Sequence, residues 1–356
     1  MGLDAVERFR REKVSMREQP QQIDSVHADF DFPLSATFHP MGLSVNISTN
    51  SAAVLDAARE SWGSLKKMFA YPPVRLRIGV LPGGSAERLT PPVFRNQEHL
   101  MSIVTDAENF MICDFRRGFA YGFVTQAAAE NGAYLRGHII ETSGNLLLVA
   151  SFLTPLHGAC LSRHGRGVLL CGDSTAGKST LAYACARAGW KFLSDDFCCL
   201  IRNRDGRVVI GHPRGMRFRG PTLDLFPELK LQPSTPRLNG GPAVEMDTAR
   251  MPGIETMSHC SIDHIVFLNR SASHPPAFYQ YSKERAKSWF ESVISYGEAA
   301  VRTEQKESLR ELFDAEVVEF RYDDLALAVP ALDAFVRGAM APAEKAGVHA
   351  GYRTGA

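Results

Sequence analysis

The sequence predicts an α/β protein in which a phosphate-binding α/β unit follows a separate α+β unit. Its 356 residues are enough for two domains at about 150 residues each. A glycine-rich loop lies between a predicted strand and a predicted helix at residues 172–179, and strand-like runs alternate with helical ones on both sides of it. We predict a flexible arm at 1–25, an α+β domain of unknown role at 26–143, a phosphate-loop domain at 144–340 and a flexible tail at 341–356.

Composition and charge exclude several classes of protein. Hydrophobic residues make up 45% of the chain and charged residues 22%, which is typical of a globular protein rather than a disordered or fibrous one. The formal net charge is +1, so we expect neither a nucleic-acid nor a membrane partner. The N-terminal residues contain no stretch like a signal peptide, and the seven cysteines form no C-x-x-C pair. We therefore expect a cytoplasmic protein with reduced thiols.

The N-terminal unit shows strand-like runs around one amphipathic helix. The helix is predicted over 52–69, with Asn50 and Ser51 as N-caps, and Pro72 ends it. Strands are predicted over 43–47, 74–80 and 110–113. This unit contains no catalytic constellation. We expect it to orient the chain, to dimerise or to select a substrate, which allows a homo-oligomer.

The segment Gly172–Ser179 fits the P-loop pattern. Glycines let the backbone approach phosphate oxygens, and the amides of the following helix point at the anion. Lys178 would reach the terminal phosphates and Ser179 would bind Mg²⁺, so ATP or GTP is the expected cofactor. The predicted nucleotide-binding residues are Gly172, Asp173, Ser174, Thr175, Ala176, Gly177, Lys178, Ser179 and Thr180. The alternative is a glycine turn that opens an ordinary helix.

A histidine lies close to this loop in the predicted strand pairing. Runs 158–162 and 168–171 are predicted to form a hairpin whose turn is centred on His164 and Gly165. In that register, paired residue numbers sum to 329, which sets His157 opposite Gly172 at the mouth of the loop. His157 is therefore a candidate catalytic residue that contacts phosphate or moves a proton. The alternative is a structural histidine at a strand end.

Two adjacent aspartates, Asp195 and Asp196, come after the predicted strand that follows the loop helix. Ligands of α/β sheets gather at the carboxyl ends of strands, so we expect both near the loop. Adjacent strand residues point to opposite faces, which predicts different roles: a metal ligand and a base that accepts the proton of an attacking hydroxyl. Asp323 and Asp324 illustrate the alternative, since they are predicted only to cap the final helix, 325–336.

A basic segment follows this second strand. Arg214, Arg217 and Arg219 could bind a phosphate or an acidic substrate through paired hydrogen bonds. A solvated basic loop is an equally good interpretation, because exposed arginine is common.

Residues 155–200 together resemble HPr kinase/phosphorylase and its relatives. The similar features are the Leu-His-Gly at 156–158, the P-loop with its Gly-Lys-Ser at 177–179, and the Gly-Trp-Lys-Phe-Leu-Ser-Asp-Asp at 189–196. The resemblance implies a P-loop kinase domain with the fold shared by HPr kinase and phosphoenolpyruvate carboxykinase, beside the separate N-terminal α+β domain. It also implies phosphate transfer to a serine hydroxyl, with Asp196 as catalytic base and Asp195 beside Ser179 at the metal.

Two departures from the family pattern matter. Thr180 stands where the family typically has glutamate, and the second signature, Glu-x-Arg-Gly-x-Gly, is absent; its nearest counterpart is the Arg-Phe-Arg-Gly at 217–220. That signature is associated with phosphorolysis, so we expect neither phosphorolysis nor HPr as acceptor. HPr-kinase-related proteins that look like peptide-maturation kinases are the closer analogy.

The sequence thus predicts a Mg²⁺-dependent, nucleotide-using kinase that phosphorylates a hydroxyl, on a serine of a protein or peptide. Catalysis is assigned to Asp196, His157 and Lys178. Two alternatives stay open: a kinase acting on a small molecule, and a non-catalytic protein whose binding is gated by nucleotide.

Overall fold

The computed structural model describes residues 30–85, 89–202, 206–230, 234–235, 243–270, 275–294 and 297–343. Within them the chain has a mixed α/β fold with three sheets. The predicted arm at 1–25, and all of the predicted tail except 341–343, lie outside the described residues.

No helix in the described part of the chain is both long enough and apolar enough to cross a membrane.

The first sheet has seven strands, in the spatial order β1-β2-β3-β7-β6-β5-β4. Its strands are β1 (Leu34–Phe38), β2 (Val45–Thr49), β3 (Val74–Leu81), β4 (Val93–Gln97), β5 (Leu100–Val104), β6 (Phe110–Asp114) and β7 (Phe119–Thr125). β3 runs parallel to β2 and β7, whereas the other pairs are antiparallel. Val74, Leu76 and Ile78 of β3 are buried and the arginines between them are exposed, so one face of the sheet packs on the core.

Helices cover that buried face. They are α1 (Ala52–Trp62), α2 (Gln126–Glu130), α3 (Gly132–Tyr134), a π-helical turn (Leu135–Glu141) and α4 (Thr142–Phe152). α4 buries Leu147, Leu148 and Val149 in the core of the first sheet. Gly144 allows close packing, because a Cβ there would lie 2.7 Å from the Trp62 ring. These residues of α4 fall within the predicted 144–340 domain, yet they pack in the core of the first sheet.

Helix α1 is shorter than predicted. The prediction extended to Phe69, but the helix ends at Trp62 with Gly63 as its C-cap, where glycine weakens continuation. After the helix, the backbone N–H of Met68 donates to the carbonyl oxygen of Gly42. This contact holds the segment that leads from α1 to β3. Ser51 is the N-cap residue, as predicted, whereas Asn50 instead bonds the backbone N–H and carbonyl of Val80.

The remaining strands form a nine-stranded sheet and a small three-stranded one. In chain order they are β8 (Leu153–His157), β9 (Ala159–Arg163), β10 (Arg166–Cys171), β11 (Lys191–Ser194), β12 (Phe197–Ile201), β13 (Val208–Gly211), β14 (Gly215–Phe218), β15 (Ser234–Thr235), β16 (Ala243–Asp247), β17 (His259–Asn269), β18 (Ala277–Gln280) and β19 (Glu316–Arg321). The small sheet has the order β14-β16-β15.

The long strand β17 is the centre of the second sheet. It pairs in parallel with β10 and β19 and antiparallel with β13. The path β11-β9-β10-β17-β13-β12-β8 gives the order, with β18 attached to β19. β9 and β10 form the predicted hairpin, and the register from Arg163↔Arg166 to Ala159↔Leu170 is confirmed.

Helices lie on both faces of the second sheet. They are α5 (Lys178–Arg187), α6 (Gly220–Leu225), α7 (Lys283–Val293), α8 (Ala299–Leu312) and α9 (Leu325–Val336). Alternate residues of β10 separate the two layers: Val168 and Leu170 pack in the cluster of α5 and α9, and Leu169 and Cys171 in the cluster of α7 and α8. This burial of both faces explains why the central strands are continuously apolar.

All seven cysteines are free; six are buried and Cys260 is half-buried.

Candidate active site

The loop Gly172–Ser179 connects β10 to α5 at the carboxyl edge of the parallel strands β10, β17 and β19. Its backbone turns through positive φ angles at Gly172 (142°), Thr175 (74°) and Gly177 (95°). A Cβ at Gly172 would lie 2.9 Å from that of Ala176, so this position requires glycine. The first amides of α5 have no partner within their own helix and open toward the loop. This geometry suits an anion.

Lys178 lies inside the loop. Its Nζ donates hydrogen bonds to the carbonyl oxygens of Gly172 (2.7 Å) and Asp173 (3.1 Å), and the residue is 6% exposed. Burial lowers the pKa of the Lys178 ammonium, and the charge of Asp196 partly opposes this. The cation is therefore held at the wall of the loop, where an oxyanion would neutralise it.

Asp195 follows β11 and faces the small sheet. Its Oδ2 accepts a hydrogen bond from the backbone N–H of Arg217 (2.8 Å), and its own carbonyl oxygen lies 3.5 Å from the Ser179 hydroxyl. Burial raises the pKa of the Asp195 carboxyl to about 6, while the Arg217 N–H lowers it and the neighbouring Asp196 raises it. Asp195 is thus a partly desolvated carboxylate next to the first turn of α5.

Asp196 points toward His157 instead. Its Oδ1 lies 3.5 Å from His157 Nδ1, and its side chain is 63% exposed. The two adjacent aspartates therefore face different groups. Burial lowers the pKa of His157, Asp196 raises it, and Lys178 lowers it.

His157 reaches the site by a different pairing from the predicted one. The ladder between β9 and β10 stops at Ala159, and His157 ends β8, which pairs with β12. His157 lies opposite Phe197, directly after Asp196, and the Gly158 N–H donates to the Asp196 carbonyl (2.9 Å). The β8–β12 ladder therefore fixes the spacing of this histidine and this carboxylate.

The three predicted arginines do not converge. Arg214 donates to the Ser64 hydroxyl (3.0 Å) in the first unit, and Arg217 pairs with Glu245 (3.0 Å) on β16. Arg219 is exposed at the start of α6. Strand alternation explains this, because Met216 and Phe218 take the buried face of β14. The backbone N–H of Arg217 donates to Asp195, whereas its guanidinium pairs with Glu245.

Thr180 links α5 to α6. Its hydroxyl lies 2.8 Å from that of Thr222, within hydrogen-bonding distance. This is the position where the resembling family has glutamate, and here a neutral contact fixes two helices together.

Three residues near the site escaped the sequence analysis. Arg270 and Tyr322 follow β17 and β19, and a Cβ at Gly177 would lie 3.1 Å from each. Trp289 on α7 stands against His157, with ring centroids 6.0 Å apart. The usable signal for the first two was their place at the ends of apolar strands. The sequence contains no signal for Trp289, because its position is typical of the buried face of an amphipathic helix.

The donor set fits magnesium bound together with phosphate. The described residues contain no cluster of three or more His, Cys, Asp or Glu side chains that could hold a metal alone. Ser179 and Asp195 offer hard oxygen ligands beside the loop. Mg²⁺ commonly uses one or two such ligands together with substrate phosphates and water.

Sequence comparison relates part of this chain to named enzymes, although no family model matches it. It is 28% identical to an HPr kinase/phosphorylase of Bacillus pumilus over 127 residues, covering 34% of this chain and 40% of that protein. It is 32% identical to the one of Latilactobacillus sakei over 93 residues (24% and 29%), and 34% identical to the one of Enterococcus faecalis over 94 residues (24% and 30%). The match spans less than half the length of each of these relatives.

A solved structure, the Hpr(Ser) kinase/phosphatase from Coxiella burnetii, aligns with 52% of this chain and 95% of its own at 13% identity, with a TM-score of 0.32.

Proposed function

Since the chain is related in sequence to HPr kinase/phosphorylases over part of its length, we propose that it is a nucleotide-using phosphotransferase. It transfers the γ-phosphate of ATP or GTP to the hydroxyl of a serine in a protein or peptide. The observation that supports this most directly is the meeting of Lys178, Ser179, Asp195 and Asp196 at one edge of the second sheet.

Phosphate binding falls to the loop and to Lys178. The loop amides and the start of α5 hold the phosphate chain, and the Lys178 ammonium neutralises its terminal oxygens. Backbone geometry positions the loop, and two carbonyl contacts position the Lys178 ammonium. Little reorganisation is needed during transfer.

Ser179 and Asp195 are the residues that would hold Mg²⁺. An ion held there would supply charge neutralisation to the phosphate chain. The Arg217 N–H orients the Asp195 carboxylate by donating to its Oδ2.

Asp196 serves as the base. Its exposed carboxylate can meet an incoming hydroxyl, and His157 orients it from the opposite side. The acceptor O–H bond breaks, its proton passes to an Asp196 oxygen, and the acceptor oxygen bonds to the γ-phosphorus. The bond from the γ-phosphorus to the bridging oxygen breaks and releases the nucleoside diphosphate. The roles of the two aspartates rest on the family resemblance and agree with their different partners.

The acceptor is a protein or peptide other than HPr. The relatives are named for HPr, but Thr180 and the missing second signature separate this chain from their pattern. Thr180 contacts Thr222, so α6 borders this side of the site.

Transfer of labelled phosphate tests the proposal. The unaltered protein and the variant Asp196→Asn are incubated with Mg²⁺, γ-labelled ATP or GTP and fractionated host extract. We expect label in a macromolecule with the unaltered protein and at least about a hundredfold slower transfer with the variant, at similar nucleotide affinity. Asp314→Asn is the control, an exposed aspartate in the turn before β19, at the opposite end of the parallel strands; it should transfer at the unaltered rate.

Two results would contradict the proposed phosphotransfer to a protein or peptide. Label confined to a low-mass fraction would indicate a small-molecule kinase. Tight nucleotide binding with no label anywhere would indicate a nucleotide-gated binding protein. A third result, unchanged transfer by Asp196→Asn, would contradict only the assignment of Asp196 as the base.

A further inference from the structure

Two cysteine side chains from different strands of the second sheet are in contact. Sγ of Cys160 on β9 lies 3.5 Å from Sγ of Cys260 on β17. The two residues are 100 positions apart in the chain, and β10 lies between their strands. Cys160 is fully buried, whereas Cys260 is half-buried. The fold thus brings together two thiols that the sequence keeps far apart, outside the candidate active site.

A glycine on the intervening strand leaves room for this contact. The hairpin register places Cys160 and Gly167 as diagonal neighbours on the same face of β9 and β10. A Cβ at Gly167 would lie 3.1 Å from Cys260 Sγ and 2.1 Å from the carbonyl oxygen of Ser261. A larger residue there would push the start of β17 away. The sulfur of Cys260 therefore reaches Cys160 across the bare backbone of β10.

The two thiols differ in their access to solvent. Burial raises the pKa of the Cys160 thiol well above its usual range, so this thiol stays protonated and does not meet solvent directly. Cys260 lies near the start of β17, between the exposed residues His259 and Ser261. A small oxidant thus meets Cys260 first, and Cys160 lies behind it as a second thiol that can react with the oxidised sulfur.

We propose that Cys160 and Cys260 form a reversible disulfide when the protein meets hydrogen peroxide, independently of the proposed phosphate transfer. The Cys260 sulfur takes one oxygen of the peroxide, the O–O bond breaks, and water leaves a sulfenic acid at Cys260. The Cys160 sulfur then attacks the Cys260 sulfur, the S–O bond breaks, and the Cys160 proton leaves with that oxygen as a second water. Both thiols are oxidised and the peroxide is reduced. The sulfur atoms must approach from 3.5 Å to ~2.0 Å.

The link would enclose the candidate active site within one covalent loop. The chain between Cys160 and Cys260 contains the phosphate loop, α5, Asp195 and Asp196. A cross-link over 100 residues restricts the unfolded chain far more than the folded one. We therefore expect the oxidised protein to be more stable than the reduced protein.

Peptide mapping and calorimetry of the full-length chain test the proposal. Protein treated with hydrogen peroxide is alkylated under denaturing conditions and digested with trypsin without reduction. Trypsin leaves Cys160 in residues 137–163 and Cys260 in residues 251–270, each with a single cysteine, so mass spectrometry identifies their link directly. We expect this linked pair, and we expect dithiothreitol to separate it. The melting temperature of the oxidised protein should exceed that of the reduced protein by about 3–6 °C.

Two variants control the experiment. Cys260→Ser changes the half-buried member of the pair, and it should lose both the link and the rise in melting temperature. Cys113→Ala is the matched control because it removes a buried thiol of β6 in the first sheet and leaves the pair intact. Its oxidised form should keep the link and the rise in melting temperature over its own reduced form.

Four results would overturn the inference. Recovery of Cys160 and Cys260 in their alkylated forms after peroxide treatment would show that the pair does not respond. A link from either residue to another cysteine, such as the neighbouring Cys171 or Cys198, would show that the 3.5 Å contact does not select the partner. A linked protein no more stable than the reduced one would refute the loop argument. An equal rise in melting temperature for Cys260→Ser after peroxide treatment would assign the stabilisation to another group.

Discussion

Replacing Asp195 with asparagine should stabilise the folded protein above pH 6 and weaken its stabilisation by Mg²⁺ and ATP. Burial raises the pKa of this carboxyl from 3.8 to about 6 in the folded state. A raised pKa means that the folded protein holds the proton more tightly than the unfolded chain does. The penalty for ionising Asp195 is therefore absent well below pH 3.8, grows as the pH rises, and is complete above about pH 6.

The size of the effect follows from that pKa. A difference of about 2 in pKa, at ~1.4 kcal/mol per pKa unit, corresponds to at most ~3 kcal/mol. The side chain is partly exposed, and solvent screening reduces this to about 1–2 kcal/mol. Asparagine keeps an oxygen for the Arg217 N–H and loses the charge. At about 2.1 cal/mol/K of unfolding entropy per residue, the 356-residue chain should show a rise in melting temperature of about 1–3 °C at pH 8. At pH 4.5 about a third of that gain should remain.

Differential scanning calorimetry at pH 8 and pH 4.5 measures this, with and without Mg²⁺ and ATP. Asp196→Asn, which removes an exposed carboxylate, is the matched control and should change the melting temperature much less at either pH. An Asp195→Asn protein no more stable than the unaltered one at pH 8, or equally stabilised at both pH values, would refute the desolvation argument. Stabilisation of that variant by Mg²⁺ and ATP equal to that of the unaltered protein would remove Asp195 from the metal site.

Three further perturbations give separate tests. Gly177→Ala places a Cβ at a residue with positive φ and close neighbours, so its affinity for ATP, measured by calorimetry, should fall at least about tenfold. Unchanged affinity would mean that ATP binding does not need this loop geometry. Trp289→Leu uncovers His157, so the pKa of His157, followed by NMR, should rise toward its ordinary value; a further fall would contradict burial as the main cause. Gln305 is buried and donates to two carbonyls of the α4–β8 segment, so Gln305→Leu should lower stability by about 1–3 kcal/mol in chemical unfolding; no loss would show that the two carbonyls find other donors.

The features that the sequence could predict are local ones. The hairpin register follows from one short turn, and Asp324 caps α9 through the Ala326 N–H, as its position before an apolar helical run indicates. The phosphate-loop pattern is equally local, since all its residues are consecutive in the chain. Each of these three features is determined by residues that lie within a few positions of one another in the chain.

The features that escaped depend on packing between distant segments. Periodicity shows that the stretch around Leu147 is buried, but it does not say which sheet buries it. His157 was placed near the site through the wrong neighbour, because β8 pairs with β12 about 40 residues later instead of continuing the hairpin. Arg270 and Tyr322 meet Gly177 only because three parallel strands end at one edge. No single window of sequence contains that information.

The central place of β17 sets an order of events during synthesis. β10 and the loop are made early, whereas β17, the parallel partner of β10, follows about 90 residues later and ends at Asn269. At ~5–20 residues per second, the ribosome needs roughly 5–20 s to travel from Cys171 to Asn269. During that interval the apolar edge of β10 lacks its permanent neighbour, and a growing chain of this kind is exposed to aggregation and to chaperones. The sheet edge that carries the loop is complete only after β19, which ends at Arg321, has also been made.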